Sequence, residues 1–334
     1  MSDIPRPKLI ASICAIAALL IFIAVLIITA PDEESEKKKS STETTSVTTT
    51  TTSTETTPTT SISTISNNKT TNSHIESPSC LSAALYCIDD KQLIYSDSIE
   101  KRAAPASITK LLTASVALKY ADADQKFTVG SEQSLVQPGS SLCGFTLGDS
   151  LKLKDFITGM LMSSGNDAAY TIAVSTAREM LHDDEMSDEE AVDFFCGFMN
   201  VFAKELGMKN SNFVNPDGWD SDDQYTTAAD LLKLAEYVLT VPEIKNSAGT
   251  FKKNIDLLSG GSQNWVNSNS LLDPDSPYYC KEAIGLKTGT TLNAGSSLIA
   301  AFEIDGKTYI SVVLGCYEDD DRYKLTTEML EMIK

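Results

Sequence analysis

Between Ser40 and Ser79 the chain is dominated by serine and threonine and holds almost no large apolar side chain. Such a stretch cannot repay the entropy of ordering by burying a core, so residues 30–79 read as a linker. As a bare coil, residues 31–79 would span roughly 40 Å end to end, and glycosylation could stiffen them further. Whatever folds must be built from residues 80–334. A chain of 334 residues, 42% of them hydrophobic, could make two domains by length, but without its first 79 residues one remains.

Ahead of the linker, Leu9 to Thr29 is an uncharged run of 21 residues, roughly 30 Å as a helix and enough to cross a bilayer. It is too long for the apolar region of a typical signal peptide. Ile28-Thr29-Ala30 also makes a poor small-x-small cleavage site, so the run reads as a retained signal anchor in preference to a cleaved signal. A simple count of basic residues points the other way, with Arg6 and Lys8 before the span and Lys37, Lys38 and Lys39 after it. Asp32, Glu33 and Glu34 are nearer, however, and long domains translocate largely regardless of charge. The expectation is a single-pass protein of the cell membrane: a cytoplasmic tail (1–8), a transmembrane helix (9–29) and a folded part outside.

Within the folded part the chemistry gathers at Pro105-Ala-Ser-Ile-Thr-Lys-Leu-Leu-Thr-Ala114. Ser107 and Lys110 are three apart and share a helix face, while Leu111, Leu112, Val116 and Leu118 supply apolar positions for burial. A serine hydroxyl attacks poorly until a neighbour takes its proton, and a lysine can do so only if burial or another cation lowers its pKa. The spacing alone is weak, since Ser35/Lys38, Ser66/Lys69 and Ser98/Lys101 repeat it. Context separates Ser107: Pro105 suits a helix start, an apolar helix follows, and the other three lie in polar or turn-like sequence. Two motifs then follow in order, Ser164-Gly165-Asn166 and Lys287-Thr288-Gly289, the second occurring once in the chain.

The rest reads as an α+β succession. Two strands are expected over 83–88 and 92–95, then helices from the Ser107 segment onward across 154–162, 168–181, 188–206 and 228–239. Strands follow at 283–286, 296–304 and 309–316, and a last helix holds Met329, Met332 and Ile333. This order predicts an antiparallel sheet with helices packed on it.

Several function classes are disfavoured. The two histidines are His74, in the linker, and His182, beside an acidic run. A Ser-His-Asp triad or a His-ligated zinc site is thus poorly supported, and a lysine base is the natural route. Seven cysteines show no Cys-x-x-Cys, so no metal is expected; Cys14 lies in the apolar span, and the other six read equally as disulfides or buried thiols. A net charge of −19 argues against binding nucleic acid through its phosphates, and the acidic run 183–190 reads as a solvated helix face.

The ordered triple Ser107-x-x-Lys110, Ser164-x-Asn166 and Lys287-Thr288-Gly289 resembles the penicillin-recognising serine enzymes. The longer strings at 105–114, Ser164-Gly-Asn-Asp-Ala-Ala169 and Lys287-Thr-Gly-Thr-Thr-Leu-Asn-Ala-Gly295 look like D-alanyl-D-alanine carboxypeptidases. The similarity runs from about Cys80 to the end, with support from Leu206 to Gly218, Thr226 to Leu231 and Asn267 to Leu272. It implies a sheet flanked by helices, of the β-lactamase/DD-peptidase type, with the active site between them. It also implies that Ser107 attacks the carbonyl between two D-alanines of a peptidoglycan pentapeptide and that β-lactams act as covalent inhibitors. Lys110 would be the base, and Ser164 would relay the proton to the leaving amine. Asn166 would hold Lys110 or the substrate amide, while Lys287 would depress the Lys110 pKa and attract the terminal carboxylate, helped by Thr288 and Thr290. The backbone N–H groups of Ser107 and Thr290 would receive the oxyanion, and Gly289 would let the strand come close. No cofactor is implied.

Three rivals share these motifs. A class A β-lactamase would add Glu-x-x-Leu-Asn, and the chain offers Glu236-Tyr-Val-Leu-Thr240 instead. A DD-endopeptidase differs only in substrate. A catalytically dead wall-binding protein would tolerate loss of Ser107 or of a lysine, and none is lost. Asp167, Ala168 and Ala169 read as packing or capping positions, Asn215-Pro-Asp-Gly218 as a turn, and Trp219 and Trp265 as groove or core.

Overall fold

The computed structural model describes residues 80–333. In chain order its strands are β1 (Ser82–Cys87), β2 (Gln92–Asp97), β3 (Lys126–Thr128), β4 (Ser150–Lys152), β5 (Lys252–Asp256), β6 (Ser262–Val266), β7 (Ala283–Thr291), β8 (Gly295–Ile304) and β9 (Lys307–Cys316). Its helices are α1 (Thr109–Tyr120), α2 (Leu153–Met162), α3 (Asn166–Leu181), α4 (Asp188–Glu205), α5 (Ala228–Val238), α6 (Pro242–Gly249) and α7 (Asp321–Leu330). Five strands form an antiparallel sheet in the order β2-β1-β9-β8-β7, and β3-β4 and β5-β6 make separate two-stranded ribbons.

The sheet is covered on both faces, which is why β1 is buried at every position. Successive side chains point to opposite faces. Ala84 and Tyr86, with Ile299, Ala301, Ile310, Val312 and Leu314, join the core shared with α1 to α5. Ala83, Leu85 and Cys87, with Leu298, Ala300 and Phe302, meet Tyr323, Leu325 and Met329 of α7. Helix α1 is buried from Thr109 through Ala117, as suits a helix enclosed on every side. The segment that carries Ser107 and Lys110 therefore has little freedom to move.

Strands β1 and β9 pair Ser82 with Leu314, and the same register two residues outward brings Cys80 to Cys316, which are disulfide-bonded. Cys87, Cys143 and Cys196 are buried free thiols and Cys280 is a half-buried one, so five of the six cysteines of the folded part divide between the two readings and Cys280 fits neither. The expected acidic helix over 183–190 is not formed. Residues 183–187 turn, and α4 begins at Asp188 with Ser187 and Glu190 in a reciprocal capping box. Asp188 is not a solvated charge either, since it pairs with Arg178 at 2.9 Å and accepts from Ser131 at 2.6 Å. The expected transmembrane helix over 9–29 and the linker lie outside the described residues, among which no helix is long and apolar enough to cross a membrane.

Candidate active site

Residues 106–108 form a single 3₁₀ turn leading into α1, with Ala106 in the left-handed region at φ 47°. Such a conformation costs a non-glycine residue of order 1–3 kcal/mol and persists only where surroundings enforce it. Two glycines allow those surroundings. A Cβ on Gly218 would lie 1.8 Å from the Ala106 carbonyl oxygen, and one on Gly289 would lie 3.0 Å from the Ala106 Cβ and 3.2 Å from the Ser107 amide nitrogen. The loop 215–218 and strand β7 thus clasp the Ser107 turn from two sides. Between them opens a cleft of about 80 Å³ lined by Ser107, Ser140, Asn166, Asp217, Trp219 and Thr290 among others.

One turn along, Lys110 is fully buried, and its Nζ donates to Ser107 Oγ at 2.9 Å, to Asn166 Oδ1 at 2.7 Å and to the Asp217 carbonyl oxygen at 2.6 Å. Burial lowers its pKa to about 8, against the upward pull of the Asp217 and Asp167 carboxylates. The expectation that Lys287 would do this lowering needs correcting, because burial is the leading cause. The coupling acts the other way: burial, then the charges of Lys110 and Arg322, push Lys287 well below its ordinary value.

Lys287, Thr288 and Gly289 lie on β7, and Lys287 is 1% exposed rather than open to the cleft. Its Nζ donates to the Thr288 carbonyl oxygen at 3.0 Å. Thr288 shares a 2.7 Å hydrogen bond with Ser268, and Thr290 Oγ1 accepts from Arg322 Nη1 at 3.1 Å. Asn166 opens α3 and gives its Nδ2 to Ser140 Oγ at 2.9 Å and to Asp217 Oδ2 at 2.5 Å. Of the two roles considered for it, the structure displays the hold on Lys110. Ser164 is buried at a left-handed φ of 59° and forms no hydrogen bond to Ser107 or Lys110. The geometry gathers Ser107, Lys110 and Asn166 in one cluster, with Lys287, Thr288, Gly289 and Thr290 on the strand beside it and Ser164 next to Asn166 in the chain.

Several participants have roles that the sequence reading did not assign. Asp167 does more than cap: its Oδ1 accepts from the Cys143 and Ala168 amides and its Oδ2 from those of Gly144 and Phe145, pinning the loop that lines one cleft wall. Asp217 looked like part of a turn, yet its side chain is buried in the cluster. Asp220 ties the opposite rim to the end of β7 by accepting from Thr291 Oγ1 at 2.6 Å and the Asn293 amide at 3.0 Å. Arg322 reaches the strand from α7, behind a run of aspartates. The tryptophans divide: Trp219 lines the cleft at 37% exposure, while Trp265 is buried and donates to the Cys143 carbonyl at 3.0 Å. Glu236 lies on α5 near Tyr86, away from the cleft lining.

Comparison with known proteins fits this arrangement. The family profile described as peptidase S11, D-alanyl-D-alanine carboxypeptidase, matches residues 67–318. The D-alanyl-D-alanine carboxypeptidase DacF of Bacillus subtilis is 28% identical over 75% of this chain and 61% of its own length. DacC of Escherichia coli is 29% identical over 77% of this chain and 62% of its own length, so the chain spans about three fifths of both. A D-alanyl-D-alanine carboxypeptidase of Streptomyces sp. is 31% identical over 66% of this chain and 75% of its own length. Among solved structures, an S96A mutant of the Streptomyces K15 DD-transpeptidase superposes with a TM-score of 0.70 at 25% identity, covering 77% of this chain and 98% of that one. The ampicillin-bound penicillin-binding protein D2 of Listeria monocytogenes gives 0.62 at 28% identity, over 76% and 97%. A serine paired with a buried lysine on an α+β scaffold, matched over three quarters of the sequence, places this chain in the D-alanyl-D-alanine carboxypeptidase family of serine peptidases.

Proposed function

We propose that this protein removes the terminal D-alanine from peptidoglycan stem peptides through an acyl-enzyme on Ser107, and that β-lactams block it by acylating the same serine. The observation that carries this reading is the 2.9 Å contact between Ser107 Oγ and a lysine that burial holds near a pKa of 8. A neutral fraction of such a lysine exists near neutral pH, which an exposed lysine would not provide. Lys110 takes the hydroxyl proton as Ser107 Oγ bonds to the carbonyl carbon. The carbon–nitrogen bond then breaks, and the proton passes by way of Ser164 to the leaving amine. Water hydrolyses the ester in the second half. The oxyanion is assigned to the backbone N–H groups of Ser107 and Thr290, and the terminal carboxylate to Lys287, Thr288 and Thr290. No cofactor enters the scheme.

The full-length chain, incubated with a labelled penicillin and separately with a D-Ala-D-Ala peptide, should carry the label on Ser107 and release D-alanine; Ser107→Ala should do neither. Label on Ser164 or Ser98, or none, would overturn the assignment. The K15 neighbour is a DD-transpeptidase, which adds a second fate for the same ester, attack by an amine, that an added amine acceptor would reveal as a transfer product. Cross-linked dimeric peptide as substrate separates endopeptidase from carboxypeptidase action. We further propose that residues 9–29 hold the protein in the cell membrane with residues 80–334 outside. The protein should then stay with membranes after a high-salt wash, and release of a chain beginning near Pro31 would show a cleaved signal instead.

A further inference from the structure

We propose that Asp217 is a positioning residue for acylation: an ionised carboxylate that locks the Asn166 amide toward Lys110 and stabilises the charge Lys110 gains on taking the Ser107 proton. The inference rests on Lys110 being the base. Asp217 is 1% exposed, and both its oxygens accept N–H groups, Oδ2 from Asn166 Nδ2 at 2.5 Å and Oδ1 from the Trp219 amide at 3.2 Å. Burial raises the Asp217 pKa above the ordinary carboxylate value, opposed by the Lys110 charge and by the hydrogen bonds from the Trp219 amide and Asn166; two acceptor oxygens with no hydroxyl or carbonyl to receive a proton are the pattern of an ionised carboxylate. Asn166 bridges it to Lys110, whose Nζ donates to Asn166 Oδ1 at 2.7 Å. An ammonium only donates and a carboxylate only accepts, so the amide between them can face one way alone. The carboxylate thereby fixes the acceptor that aims Lys110 at Ser107. The loop itself is bound to α1 through Thr113 Oγ1 to the Pro216 carbonyl at 2.6 Å and Lys110 Nζ to the Asp217 carbonyl at 2.6 Å.

The charge matters as well as the direction. Proton transfer from Ser107 to Lys110 creates an ammonium in a buried site, where an uncompensated charge is costly. The other nearby buried carboxylate, Asp167, has both oxygens engaged by four backbone amides, which leaves Asp217 as the anion linked to Lys110 through a single side chain. The remaining titratable neighbours are Cys143 and Lys287 beside Lys110, and Tyr170 and Cys196 beside Asp217. Burial pushes the two thiols and the phenol up and so keeps them neutral, while Lys287 is pushed down.

The test is the pH profile, between 5 and 10, of single-turnover acylation of Ser107 by a chromogenic β-lactam in the full-length chain, with thermal unfolding measured alongside. An anion favours the ammonium, so removing it lowers the Lys110 pKa. Asp217→Asn should move the acid limb to lower pH by about one unit and lower the plateau rate by about tenfold. Asp217→Glu keeps the charge and should leave the limb in place while slowing the reaction. If Asp217→Asn does not fold, Asp217→Ser, whose hydroxyl can still accept from Asn166, is read in the same way. An acid limb unmoved in the neutral variant, or moved upward, overturns the proposal even where the rate falls, because a purely structural role changes rate without changing titration. Failure of the wild-type chain to acylate at Ser107 would instead refute the catalytic reading on which this rests.

Discussion

Gly218→Ala tests the clasp that holds the nucleophile. The added methyl would lie 1.8 Å from the Ala106 carbonyl oxygen and 2.9 Å from the Ser107 amide nitrogen, at a backbone φ of 91° that alanine rarely adopts. Neither obstacle is the end of a flexible side chain, so backbone must move. A disfavoured backbone conformation costs about 1–3 kcal/mol and forced overpacking about as much again, for a loss of about 2–6 kcal/mol. In a domain of this size that corresponds to a fall in melting temperature of about 5–15 °C. The displacement falls on the Ser107 turn, and an error of about 1 Å there would slow acylation by about 10²-fold. Differential scanning calorimetry and β-lactam acylation kinetics read the two effects. A variant that melts and acylates like wild type would refute the claim that the 215–218 loop presses on the nucleophile. A variant that loses stability but not rate would show that the turn is held by β7 alone.

Three further outcomes follow from the same geometry. Lys110→Arg keeps a positive charge that cannot be given up, so acylation should fall to background in rapid-quench assays, whereas Lys287→Arg should retain part of it. Lys287→Ala should cost more on a D-Ala-D-Ala peptide with a free terminal carboxylate than on its amide, and equal losses on the two would remove the clamp role. Lys110 binds its proton less tightly folded, at about 8, than unfolded, at about 10.5, so between those values the unfolded chain holds more protons and stability rises with pH. At 1.36 kcal/mol per unit the full rise from this buried group is about 3 kcal/mol, of which about 2 kcal/mol falls between pH 8 and 10, where urea unfolding should detect it and Lys110→Met should remove it.

The parts of the fold legible in sequence are those with strong periodicity. Helix α1 follows from its leucines, and β8 and β9 follow from apolar runs around Asp305-Gly306. The hairpin of β5 and β6 was missed because among its residues only Ile255 and Trp265 are buried, too few to show alternation. Helix α6 was missed for a similar reason, burying only Ile244, Ser247 and Ala248 over eight residues. In the site, Ser107, Lys110 and Asn166 were legible because catalysis constrains residue type at fixed spacing. Asp217 was not, since Asn-Pro-Asp-Gly is also what an ordinary turn looks like. Only the tertiary contact of that turn with the start of α3 gives its carboxylate a partner outside the turn, 51 residues away in Asn166.

The two lysines of the site are both fully buried, yet their surroundings differ in a way that assigns them different work. Lys110 faces two carbonyl-type acceptors, a hydroxyl, and a carboxylate one amide away, so its ammonium is solvated by the protein in either half of the reaction. Lys287 finds the carbonyl of its own neighbour at 3.0 Å and the cations Lys110 and Arg322 nearby. Buried among like charges without an anion, it is pushed well below its ordinary pKa. On the proposed reading, the anion it lacks is the terminal carboxylate of the substrate. Arrival of that carboxylate at β7 would raise the Lys287 pKa, and the ammonium so formed would hold the peptide against the strand beside Ser107. The site is then least favourable when empty and becomes electrostatically complete on binding a free carboxylate. This accounts for a second buried lysine that the proton transfer itself does not require.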